Sequence, residues 1–132
     1  MRNKVVLLNI NRLKPHEMVD KKRLSFLLER IKKDKYLKNP VVVEDKHLII
    51  LDGHHRVKAL KHLRAKKIPA FLVNYKNDDI RVFLRKKLLL TKLIKNIVIE
   101  NSLNSKLFPS KTTRHLIRNR PRNINVKINQ LL

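Results

Sequence analysis

The sequence predicts a single α+β domain, and three observations carry that prediction. Runs that are apolar or alternate as strands do are interleaved with segments whose apolar residues recur at helical spacing. The chain has 132 residues and is 42% apolar, enough to build one modest core. It contains one glycine and no repeat, linker or low-complexity stretch, so residues 1–132 are expected to form one domain, with a core over about 1–76 and a C-terminal helix and loop over about 77–132.

Residues 5–10 form a β-branched, apolar run that ends in Asn9, Asn11 and Pro15, as a buried strand followed by a loop would. Glu17 falls in that loop. Asp20 is placed to cap a helix in which Leu24, Leu27, Leu28 and Ile31 follow the i, i+3, i+4, i+7 pattern, and Asn39-Pro40 is expected to stop it. Residues 41–44 and 47–51 flank Asp45-Lys46 and read as a β-hairpin with a two-residue turn. Asp52-Gly53 follows at once. From His54 to about Arg64 a helix is expected to bury Val57, Ala59, Leu60 and Leu63, and a strand covers 68–74. Further on, Ile80, Val82 and Leu84 alternate like a strand and Ile94, Ile97 and Val98 recur like a helix, with the division near Leu90. Residues 104–115 read as a polar, Pro-containing loop, and 124–128 alternate as a short edge strand would.

The charge is lopsided: 33 Lys plus Arg face 10 Asp plus Glu, a formal +23, and no acid follows Glu100. Such a field attracts polyanions, nucleic acid or a phosphorylated small molecule, although a Lys-rich, AT-biased or heat-adapted composition produces the same excess. Lone Gly53 excludes Walker A and Rossmann loops, which need several glycines. Absence of cysteine excludes disulfides, thiolate metal sites and thiol catalysis. No apolar run approaches a membrane span and the first residues lack a signal-peptide pattern. The expectation is a cytoplasmic protein without a membrane partner.

Three groups of residues carry chemistry. Asp52-Gly53-His54-His55-Arg56 sets three side chains able to bear positive charge at a helix start, where free N–H groups and the dipole favour an anion. The plainer alternative makes Asp52 an N-cap and leaves the histidines solvated. Zinc is disfavoured because adjacent His54 and His55 point about 100° apart on a helix. Lys111-Thr112-Thr113-Arg114-His115 gathers donors suited to phosphate or carboxylate, or forms an ordinary basic surface loop. Glu17, an acid in a basic chain, is able to deprotonate a hydroxyl, or to pair with a surface lysine.

In order along the chain, Pro15-His16-Glu17, Lys38-Asn39-Pro40 and Leu51-Asp52-Gly53-His54-His55-Arg56 resemble the ParB/sulfiredoxin-like fold, and DGHHR within it resembles the free-serine kinases. Residues 107–115, Asn119-Arg120-Pro121 and Ile124-Asn125-Val126 resemble that family's C-terminal segment. The resemblance implies a compact domain with a small mixed sheet and packed helices, and phosphoryl transfer from ADP or ATP, with Mg²⁺, to free L-serine. The product would be O-phosphoserine, a precursor for cysteine synthesis. It further implies Glu17 as general base, Gly53, His54, His55 and Arg56 around the donor phosphates, and Asp52 at the turn or on Mg²⁺. Lys111, Thr112, Thr113, Arg114 and His115 would grip phosphate or the serine carboxylate. The stretch between Tyr75 and Leu90 looks trimmed relative to the family. Sulfiredoxin chemistry is excluded by the missing cysteine, and a partition function is disfavoured because no helix-turn-helix domain follows the core. A nucleic-acid-binding or regulatory module of the same fold is the alternative.

Overall fold

The computed structural model of the chain describes residues 5–76, 80–84, 91–109 and 113–132. In chain order the elements are β1 (Val5–Asn9), α1 (Lys21–Asp34), β2 (Tyr36–Leu37), β3 (Val41–Glu44), β4 (Ile50–Asp52), α2 (His54–His62), β5 (Lys67–Val73), β6 (Ile80–Leu84), α3 (Thr91–Leu103), β7 (Thr113–Ile117) and β8 (Val126–Lys127). The main sheet has the order β1-β5-β3-β4, with β3 and β5 parallel and both outer pairs antiparallel.

The central parallel pair accounts for the apolar run of β3, since a strand buried on both faces loses its alternation. Val41 and Val43 join Ile50, Ile68 and Ala70 on the face that carries α1 and α2. Val42 joins Leu51, Phe71 and Val73 on the opposite face, against Ile94 and Val98 of α3. The stripe Leu24, Leu27, Leu28 and Ile31 turns α1 onto the first face, and Asp20 caps that helix by accepting the Lys22 N–H at 3.0 Å.

Four boundaries differ from expectation, each for a local reason. Helix α1 ends at Asp34 and not at Asn39-Pro40, because Lys35 turns left-handed (φ 63°) and gives its N–H to Ile31; this frees Tyr36–Leu37 to pair with β8. The β3–β4 connection exceeds two residues. Buried Glu44 accepts the N–H groups of Lys46 and His47 at 3.0 and 2.6 Å, and Leu48 takes φ 59°, so β4 begins only at Ile50. Helix α2 ends at His62, and Arg64 takes φ 62°. Within the expected loop 104–115, Thr113 begins β7, which pairs antiparallel with β6. Its inward residues, Thr113 and His115, are buried but polar, so the strand carries little hydrophobic signal. Among the described residues no helix is long and apolar enough to cross a membrane.

Candidate functional site

The loop that holds Glu17 is clamped from several sides. Lys14 exchanges backbone hydrogen bonds with Leu48 and Ile50 at 2.9 and 2.8 Å. The Ser102 hydroxyl of α3 donates to the Pro15 carbonyl at 2.8 Å. Phe108 gives its N–H to the His16 carbonyl and accepts that of Met18, both at 2.8 Å. Glu17 thereby stands beside the start of β7, its Oε2 accepting the Thr113 hydroxyl at 2.5 Å.

Where β4 meets α2, Gly53 turns the chain at φ 107° and its carbonyl accepts the Val57 N–H at 2.9 Å. Gly53, not Asp52, is the N-cap, and no side chain caps α2. Asp52 instead binds guanidinium groups: its Oδ2 accepts from Arg56 at 3.3 Å and from Arg120 at 2.5 Å. Arg56 also donates to the Asn39 and Pro40 carbonyls at 3.1 and 2.8 Å, which ties α2 to the entry of β3.

The two histidines of the motif brace the Glu17 loop. His54 Nε2 accepts the N–H groups of His16 and Glu17 at 3.1 and 3.3 Å, and His55 Nε2 accepts that of Asp20 at 3.0 Å. An acceptor nitrogen carries no proton, so His54 is neutral here and its Nδ1 bears the hydrogen. Burial, reinforced by neighbouring His16, pushes His54 down to about 3. The expected positive charge at His54 is thus absent, because the loop backbone needs a lone pair there.

Electrostatics keep His54 and His115 neutral and Glu17 and Asp52 ionised. Burial opposes ionisation of Glu17, but hydrogen bonds from His16 and Thr113 override it and hold the carboxyl at about 2. Burial likewise opposes ionisation of Asp52, and Arg56 and Arg120 hold it below the usual range. His115 is kept well below its ordinary value by burial and then by His16. Its Nε2 lies 2.7 Å from the Tyr75 hydroxyl, which burial keeps a phenol. The other ring nitrogen of His115, Nδ1, is buried and has no hydrogen-bond partner among the described residues.

These residues line one cleft of about 600 Å³. Glu17, Asp52 to Arg56 and Thr113 to His115 all reach it, together with Arg23, Arg120 and Arg122. A second cavity of about 430 Å³ shares Arg30, Asp52, Arg56, Arg120 and Arg122 with it. The volume suits a nucleotide-sized ligand. Lys111 and Thr112 lie outside the described residues. Sequence reasoning missed Tyr75, His16 as a buried group, and the arginines of α1; only the helical spacing of Arg23 and Arg30 on the side away from the core pointed to them. Among the described residues no group of three or more His, Asp or Glu side chains forms a metal cage. Magnesium binds through one or two carboxylates plus substrate phosphates; the carboxylate beside the helix start is Asp52, whose Oδ2 is held by Arg56 and Arg120, so it would offer a metal its other oxygen, Oδ1.

A mixed sheet whose strand, turn and helix meet at an arginine-lined cleft beside a clamped glutamate defines a ParB-like α+β fold. Residues 2–88 match the ParB N-terminal domain, and the chain belongs to that family. It is 35% identical over 82 residues to an ATP-dependent L-serine kinase of Staphylothermus marinus, covering 58% of this chain and 32% of that protein. With the ADP-dependent L-serine kinase SerK of Thermococcus kodakarensis it shares 32% identity over 83 residues, 59% of this chain and 34% of the relative. The chain thus spans about a third of the length of the curated relatives it matches. A solved free serine kinase in complex with AMP superposes with a TM-score of 0.83 at 16% identity, covering 100% of this chain and 95% of that one. That likeness is one of fold.

Proposed function

We propose that this protein is a cytoplasmic phosphotransferase that converts free L-serine to O-phospho-L-serine with ADP or ATP and Mg²⁺, supplying phosphoserine for cysteine synthesis. The observation that carries the reading is the convergence of an ionised carboxylate, Glu17, with the start of α2 and a set of arginines on one cleft. Similarity to curated L-serine kinases supports the choice of substrate.

In this reading the donor phosphates lie at the N–H groups that follow Gly53, with Arg120 and Arg122 offsetting their charge. Phosphoryl transfer needs positioning and charge neutralisation above all. Glu17 accepts the serine hydroxyl proton as the O–P bond forms and the bond to the departing nucleotide oxygen breaks. Thr113, Arg114 and His115, which line the cleft, face phosphate or the serine carboxylate. Magnesium, when bound, would be held by Asp52 and the phosphates and would neutralise charge on the leaving group.

The test is an assay for O-phosphoserine from L-serine and Mg²⁺, run with ADP and with ATP. Glu17→Gln is expected to lower turnover on the order of 10²–10⁴-fold while AMP affinity stays within a few-fold of wild type. Product with one nucleotide only names the donor. An unchanged rate in Glu17→Gln removes Glu17 as the base. A second reading, a nucleic-acid-binding or regulatory module, draws on the +23 charge and the acid-free stretch after Glu100. No product with either nucleotide, together with duplex DNA binding that weakens steeply with salt, would establish that module instead.

A further inference from the structure

We propose that His16, Thr113 and Glu17 form one proton-holding unit, with an imidazolium at His16, a bridging hydroxyl at Thr113 and a carboxylate at Glu17, which makes His16 a positioning residue for Glu17. The proposal comes from counting hydrogens. His16 is fully buried. Its Nδ1 lies 2.7 Å from the Ile50 carbonyl, which only accepts, so that nitrogen bears a hydrogen. Its Nε2 lies 2.8 Å from the Thr113 hydroxyl oxygen, and this oxygen lies 2.5 Å from Glu17 Oε2. Three contacts in a row need three hydrogens. A neutral imidazole contributes one, the hydroxyl another and a carboxylate none.

With only two hydrogens, one contact must set lone pair against lone pair inside the protein, where nothing screens the conflict. Choosing the other neutral tautomer of His16 moves the conflict to Ile50 and does not remove it. A third hydrogen satisfies every contact. Geometry places it on His16, because Glu17 Oε2 receives two donors from Thr113, the hydroxyl and the backbone N–H at 3.4 Å, and stands 3.5 Å from His16 Nε2. An oxygen so surrounded is favoured as an anion.

The neighbouring groups leave the proton no better site. His54 on α2 and His115 on β7 stand with ring centroids 4.7 and 5.5 Å from that of His16. His54 already uses its Nε2 as an acceptor for backbone N–H groups, and His115 Nε2 is engaged by the Tyr75 hydroxyl at 2.7 Å. Asp52 on β4 is the other carboxylate whose field reaches these rings, and it is matched by Arg56 and Arg120. The catalytic meaning rests on the reading of Glu17 as base: His16 would keep that carboxylate ionised and oriented through Thr113 before serine arrives.

The test uses the full chain with ¹⁵N-labelled histidine rings, without nucleotide or serine, and records ring ¹H–¹⁵N correlations at pH 7. Signals of His16 are assigned by their loss in His16→Gln. In wild type both ring nitrogens of His16 are expected to be protonated. In Glu17→Gln one should revert to an unprotonated nitrogen, because the amide supplies the missing hydrogen; Glu17→Ala, which frees the Thr113 hydroxyl to donate to His16 Nε2, serves the same comparison if Glu17→Gln does not fold. A singly protonated His16 in wild type overturns the proposal, and so does an imidazolium that persists in the variant. No turnover enters the measurement, so a failed kinase assay leaves it standing and its own failure leaves the kinase reading intact.

Discussion

Gly53 occupies a position where backbone and packing both require glycine. Its φ is +107°, and a Cβ added there would meet Val41 Cγ1 at 2.5 Å and Val41 Cβ at 2.9 Å. Val41 is wholly buried in the core and has nowhere to move. Gly53→Ala is expected to cost about 2–4 kcal/mol, from left-handed strain plus overpacking, read as a lowered urea midpoint with an unchanged slope. Residues of this kind are legible in sequence: a chain with one glycine, placed between a strand and a helix, advertises the turn. His16 and Tyr75 are not, because a single polar residue says nothing about which groups meet it. His16 owes its role to the Ile50 carbonyl and to Thr113, 34 and 97 residues away along the chain.

Among the elements, the segment after β7 matters beyond its small share of regular structure. Arg120 reaches back to Asp52 at the end of β4, so the C-terminal segment closes the cleft that the sheet and α2 open. Arg120→Ala is expected to cost only about 1 kcal/mol of stability, since Asp52 is partly solvated. AMP affinity should fall roughly ten-fold, the scale of one lost charge-assisted contact, when urea unfolding is compared with calorimetric titration. A stability loss without an affinity loss would assign Arg120 to the fold alone. Periodicity makes α1, α2, β3 and β5 readable, because each buries an apolar stripe or run; β1 is legible as a strand from its β-branched run but is not the buried strand expected, because it lies at the sheet edge, only partly covered and with Leu7 exposed. Periodicity fails for β2, which is two residues long, and for β7, whose inward positions carry Thr113 and His115 in place of apolar residues.

For the molecule as a whole, the buried neutral histidines set the response to acid. The unfolded chain binds a proton at each histidine near 6.5, whereas folded His54 binds one only near 3 and His115 only well below 6.5. Between those limits the unfolded state holds more protons, so stability falls as pH drops below about 6.5, by up to about 1.4 kcal/mol per pH unit for each such group. Glu17 acts in the same direction lower down: its contribution is present above 4.5 and is lost as pH falls towards about 2. Urea midpoints measured at pH 8, 6 and 4 should decline steadily through the last interval. A flat profile would show that the imidazoles are not buried neutral.

From the sequence alone follow the α+β class, the main helices and strands, the basic charge and the three motifs that supply the cleft, because periodicity, capping and composition are local properties of the chain. Only the tertiary structure decides how those motifs act on one another. Gly53 caps α2 while Asp52 turns to Arg120; His54 becomes a neutral brace, because the backbone of residues 16 and 17 folds onto its Nε2. Protonation and hydrogen-bond partnership depend on distances across the fold, and no spacing within the sequence encodes them.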